Sequence, residues 1–125
     1  MHPDRKPRRD EEGELQRSLI QHLRLYADKR VLYWHTPNGG ARSKATGRNL
    51  KAMGVLPGVL DLAFLLPDGS PAFLELKSKD GRLEPAQTDF MVKCEALGVP
   101  CAVASNIDVA LEILTAWGVL KPSRA

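Results

Sequence analysis

The sequence predicts an α/β fold, a mixed β-sheet flanked by helices in the order αβαββαβα. Three observations lead there. The tetrad Pro67-Asp68-Gly69-Ser70 separates two strand-like apolar runs; it is a turn signal because Pro presets φ, Asp tolerates turn conformations and Gly supplies φ > 0. Apolar residues recur at helical spacing on both sides of that hairpin. A further apolar run, Cys101 to Ala104, follows the helix that leaves the hairpin, and a strand reached through a crossover helix can run parallel to its predecessor.

Taken in order, Met1 to Asp10 is polar, holds Arg5, Lys6, Arg8 and Arg9 and has no apolar periodicity. It reads as a disordered basic tail (1–10), solubilising or serving as a nucleic-acid arm, ahead of a single domain over 11–120. Leu15, Leu19, Leu23 and Tyr26 place one apolar face on a first helix, Glu11 to Ala27. Val31 to His35, β-branched and aromatic, is the first strand. Pro37-Asn38-Gly39-Gly40 is a loop, and Ser43 to Met53 a helix closed by Gly54. After the hairpin, Ser78 to Glu84 is a polar loop and Pro85 opens a helix that Gly98 stops. Cys101 to Ala104 has the continuous apolar character of a fully buried strand. Asn106 or Ser105 caps a last helix whose apolar face holds Val109, Ala110, Ile113, Leu114 and Trp117.

With 125 residues and 43% hydrophobic content, the chain suits one domain with a real core. A net charge of +3 and a pI near 9.0 fit a polyanionic partner. Cys94 and Cys101 have no histidine or cysteine cluster at metal-ligand spacing beside them and read as free, buried thiols. No apolar run approaches the roughly 20 residues that span a bilayer, and the charged N-terminus lacks a signal-peptide core. The expected location is intracellular, in the cytoplasm.

The hairpin carries the chemistry. If its turn is centred on Asp68, Leu66 lies opposite Ser70, and stepping outward sets Asp61 opposite Glu75. Opposed Cβ atoms sit roughly 4.5–5.5 Å apart, where two like charges are destabilising unless neutralised. A divalent cation does that. Side chains alternate along a strand, so Lys77 shares the face of Glu75. A turn shifted by one residue would put the two acids on opposite faces.

Two carboxylates holding hydrated Mg²⁺ (or Mn²⁺, which takes the same oxygen ligands) suit phosphodiester hydrolysis. Lys77 would orient or deprotonate the attacking water and offset phosphate charge. The bland alternative is a surface ion pair between Glu75 and Lys77 beside an unrelated Asp61. The Thr36 to Gly40 loop, with Asn38, Gly39 and Gly40, reads as a backbone approach to phosphate. Arg42, Lys44, Arg48 and Lys51 extend it as phosphate contacts on DNA or form a plain solvated face. His35 reads as a hydrogen-bonded structural histidine, and Trp34 and Trp117 as core or interface aromatics.

Asp61 followed by Glu75-Leu76-Lys77 resembles the PD-(D/E)XK phosphodiesterase signature. With His35-Thr-Pro-Asn-Gly-Gly40, Lys51-Ala-Met-Gly-Val-Leu-Pro-Gly58 and Gly81-Arg-Leu-Glu-Pro-Ala-Gln87, the chain is similar to the VRR-NUC family of nucleases from about Glu12 to Trp117. The resemblance implies a restriction-endonuclease-like core and a metal-dependent DNA endonuclease. It implies the Leu76 backbone carbonyl as a metal ligand, and Glu14, with Glu11 and Glu12 in the same turn as alternatives, as an additional acid at the metal. It also implies a role for Gln87, either on substrate phosphate or in fixing Lys77.

Small stand-alone members of the family resemble Holliday-junction-resolving nucleases of phage origin, so a homodimer acting on branched DNA is expected. One departure is Leu60, where the family usually has proline before the first acid; proline is not a ligand, but it would preset φ there. The rival readings are a catalytically silent nucleic-acid-binding module and a subunit of a larger restriction or repair assembly.

Overall fold

Asp10 starts the first helix by accepting the Gly13 N–H at 3.0 Å, which satisfies one of the donors that a helix N-terminus leaves unpaired. The computed structural model describes residues 10–37 and 44–122, except the side chains of Lys44 and Ala45. The expected tail, apart from Asp10, lies outside the described residues. The elements are α1 (Glu11–Tyr26), β1 (Leu32–His35), α2 (Lys44–Ala52), β2 (Leu62–Leu65), β3 (Pro71–Leu76), α3 (Pro85–Ala96), β4 (Cys101–Ala104) and α4 (Ile107–Ala116). They form a mixed α/β fold with one four-stranded sheet in the order β1-β2-β3-β4. β1, β2 and β3 pair antiparallel, and β4 joins β3 in parallel.

The hairpin takes the register that centring on Asp68 predicts, with Leu62 opposite Leu74 and Phe64 opposite Ala72. The turn secures it. Leu66 N–H donates to the Ser70 carbonyl at 2.8 Å, and Asp68 accepts from both the N–H and the hydroxyl of Ser70. Alternation then sorts the side chains. Leu62, Phe64, Leu74 and Leu76 pack into one core with Leu19 and Leu23 of α1 and Ala110 and Leu114 of α4. Each fully buried leucine there contributes about 1.5–3 kcal/mol. The opposite face carries Phe73, which meets Phe90 of α3 edge-on with ring centroids 5.0 Å apart. Glu75 shares that face, so α3 covers it. Among the described residues α2 has no helix or strand as a close neighbour.

Two local expectations are corrected, for β4 with its Cys101 and for Tyr26, and one alternative is decided. β4 was expected to be fully buried, yet only Ala104 is, and Cys101 is half-buried; β4 is an edge strand with a neighbour on one side only. Cys94 is buried and both thiols are free. Tyr26 was expected on the apolar face of α1 but is exposed and rests on the His22 ring, because it is the last helical residue and lies beyond the sheet. Asn106, rather than Ser105, caps α4, accepting the Val109 N–H at 2.9 Å. Trp117 packs edge-on against Phe64, whereas Trp34 is 44% exposed on β1. No described helix is long and apolar enough to cross a membrane.

Candidate active site

The regular ladder of β2 stops at Leu62, one residue short of Asp61, and side chains take over. Thr36 N–H still reaches the Asp61 carbonyl at 2.8 Å. The Asp61 N–H, however, donates to Glu75 Oε1 at 3.0 Å, while the Leu76 N–H donates to Asp61 Oδ2 at 2.9 Å. Each acid therefore takes a backbone donor from the other's neighbourhood, and the crossed pair ties the start of β2 to the end of β3. Like charges are tolerated there because N–H groups stand between them.

Glu75 is 2% exposed, an uncommon setting for a carboxylate unless it is paired. Its second oxygen is paired twice. Lys77 Nζ lies 3.3 Å from Oε2, and Gln87 Nε2 donates to the same oxygen at 2.5 Å. Gln87 sits in the first turn of α3, where its own Oε1 accepts the Glu84 N–H at 2.9 Å, so the helix N-terminus fixes its side chain. Gly58 lets that turn come close. It has φ +84°, and a Cβ built there would lie 2.1 Å from the Ala86 carbonyl oxygen.

Burial, and next the Asp61 charge, push the Glu75 carboxyl above its ordinary value, against the lowering effects of the Asp61 N–H and Lys77. A carboxylate whose folded pKa is raised gives stability that is complete below the unfolded pKa, near 4.5, and is lost as pH rises through the folded one. We therefore expect the cation-free protein to lose stability across the window just above that ordinary value. Asp61→Asn should narrow the window by removing one cause of the shift. Urea midpoints measured against pH for both proteins check this, and superimposable profiles would contradict it.

Of the other expected site residues, Gln87 joins the acid pair. Among the described residues no three histidine, cysteine, aspartate or glutamate side chains gather into a metal-holding group, so Glu14 is not drawn into a three-carboxylate cluster with Asp61 and Glu75. Glu14 is exposed in the first turn of α1. Glu12, in the same turn, accepts the Ser78 N–H at 3.1 Å just past Lys77. Gln87 bonds Glu75 directly rather than Lys77. Arg48 and Lys51 are exposed on α2. Asn38, Gly39, Gly40 and Arg42 lie outside the described residues, as does the Lys44 side chain. Leu60, in the place of the expected proline, is fully buried.

His35 is hydrogen-bonded as expected, with Nδ1 2.8 Å from the Asp61 carbonyl oxygen, a partner that sequence reasoning did not name. The available signal was the position of His35 at the end of the strand antiparallel to the one Asp61 begins. The oxygen set of Asp61, Glu75 and the Leu76 carbonyl suits a hard cation such as Mg²⁺ or Mn²⁺. Leu76 presents its N–H to Asp61, and in a strand the carbonyl of a residue leans to the same side as its N–H.

No protein-family model matches the sequence, and no curated protein matches it. Solved structures do. One described as a "VRR_NUC domain protein" superposes with a TM-score of 0.70 at 19% identity, over 89% of this chain and 90% of its own. Another, described as "VRR_NUC domain", gives a TM-score of 0.58 at 18% identity, over 86% and 97%. With a mixed four-stranded sheet and four helices, the chain has the fold of these VRR_NUC domain proteins.

Proposed function

We propose that this chain is a VRR-NUC nuclease, a divalent-metal-dependent DNA endonuclease that hydrolyses phosphodiester bonds in branched duplexes as a homodimer. The observation that carries the reading is the crossed Asp61–Glu75 pair with Lys77 at 3.3 Å, set on the fold named above. Asp61, Glu75 and the Leu76 carbonyl would hold Mg²⁺ or Mn²⁺. When bound, such an ion supplies Lewis-acid polarisation of a phosphate oxygen and a more acidic water.

The protein's own groups do the remaining work. Lys77 is half-buried and anchored on Glu75, which leaves its ammonium to orient the attacking water and to offset charge gathering on the phosphate. Gln87 holds the outer oxygen of Glu75 and keeps that carboxylate turned toward Asp61. Buried leucines beneath the acids exclude water from one side, so the charges act in a low-dielectric setting. Two symmetric copies would present one active site to each strand of a junction.

Labelled linear, flap, fork and four-way-junction DNAs, each incubated with Mg²⁺ or Mn²⁺, test the proposal. Cleavage of the branched substrates in preference to the linear one is expected. Absence of cleavage on every substrate in both metals would refute it.

Binding should rest on phosphate contacts. Neutralising Arg48 and Lys51 together is expected to weaken affinity for all sequences about equally. It should also flatten the slope of log affinity on log salt by about 0.9 for each lost contact on duplex DNA. Both are exposed on a helix with no acid in its first turn. A titration series at several salt concentrations decides, and an unchanged slope returns them to a solvated face.

A further inference from the structure

The Asp61 carbonyl oxygen accepts two hydrogen bonds, from the Thr36 N–H at 2.8 Å and from His35 Nδ1 at 2.8 Å. A carbonyl oxygen only accepts, so Nδ1 carries the proton of this contact, and the tautomer is fixed at that nitrogen. Asp61 is the point where the ladder between β1 and β2 fails, because its own N–H is turned toward Glu75. The Thr36 bond alone would let the peptide plane rock about a single contact. The His35 bond occupies the oxygen's other lone pair and removes that freedom. Rotation of this peptide would carry the Asp61 carboxylate away from the Leu76 N–H and from Glu75. An acid that holds a cation must be kept within about 0.5 Å of its productive place.

We propose that His35 is a positioning residue for the Asp61 carboxylate, acting through the Asp61 backbone carbonyl, and thereby sets cation affinity at the acid pair. The affinity part rests on the metal reading above. His35 is exposed and belongs to no buried cluster, so its side chain is open to substitution.

Three variants test the idea, because an asparagine amide nitrogen lies at the level of Nδ1 and a glutamine one at the level of Nε2. His35→Ala should weaken Mg²⁺ binding by roughly 10-fold or more, as loss of a group orienting a ligand does. It should also shift the Asp61 and Leu76 amide resonances in cation-free protein. His35→Asn should recover most of the affinity and both resonances, and His35→Gln should behave like His35→Ala.

Unchanged affinity and resonances in His35→Ala would overturn the proposal, as would equal recovery by the two amide variants. Should His35→Ala fail to fold, the comparison of asparagine with glutamine still decides. If the unsubstituted protein binds no cation, the metal reading falls, and the resonances of the cation-free variants judge the positioning role separately.

Discussion

Asp61→Asn should abolish DNA cleavage while leaving the fold intact and DNA affinity nearly so. Asparagine keeps the shape of the side chain and an oxygen that can accept the Leu76 N–H, now donated to Asp61 Oδ2 at 2.9 Å. What it removes is the charge that a hard cation needs. Losing a cation's stabilisation of the transition state costs several kcal/mol, a fall in rate of about 10³-fold or more. Stability should hold or rise, because the change also removes the Asp61 charge that, after burial, raises the Glu75 pKa. Junction cleavage in Mg²⁺, a thermal melt and a binding isotherm, run on one preparation, separate these effects. A variant that turns over at a near-normal rate would place the metal site elsewhere.

Gly58→Ala is expected to be among the most damaging single-atom changes in the chain. Two costs coincide at this position. Its φ of +84° is one that L side chains rarely adopt, and the new methyl would meet the Ala86 carbonyl carbon at 2.3 Å and the Gln87 nitrogen at 2.8 Å. Those are backbone atoms in the first turn of α3, so no side chain can swing aside. The conformational cost is about 1–2 kcal/mol and the overpacking a further 1–3 kcal/mol.

Gly54 and Gly69 are natural controls. Their φ values are +98° and +85°, yet nothing lies within 4 Å of a Cβ at either, so alanine there should incur the conformational cost alone. Urea midpoints for the three variants provide the ranking. Equal losses at all three would mean that the contact of Gly58 with α3 is unimportant. Displacing α3 would also draw Gln87 off Glu75, so residual folded Gly58→Ala should have impaired cleavage.

Much of this arrangement was legible in the sequence, for reasons that particular residues make plain. The turn at Asp68 is a local signal, and a local signal fixes register over a short hairpin, so Asp61 and Glu75 could be paired by counting. Asn106 and Pro85 marked helix starts through equally local chemistry. Edge position is different. Cys101 to Ala104 reads the same in sequence whether one strand or two flank it, and only the assembled sheet leaves β4 at the rim. The helix acid was ambiguous for a similar reason, since Glu11, Glu12 and Glu14 share one turn and only tertiary docking shows Glu12 beside Ser78. The crossed bonds of Asp61 and Glu75, like the reach of Gln87 from Glu84 to Glu75, join segments more than ten residues apart. No pattern within either segment encodes them.

The bonds already made by the two acids also govern stoichiometry. A carboxylate offers roughly four acceptor positions. On Glu75 three are taken, by the Asp61 N–H on Oε1 and by Gln87 and Lys77 on Oε2. Asp61 spends one position on the Leu76 N–H through Oδ2, and no described donor reaches its Oδ1. On Glu75 the one open position is on Oε1, so a second cation on that acid would have to displace Gln87 or Lys77, whereas Asp61 keeps three positions open. Glu75 can therefore join only one cation, and with that acid limiting, the Mg²⁺ isotherm used to examine His35 should close at one ion per chain.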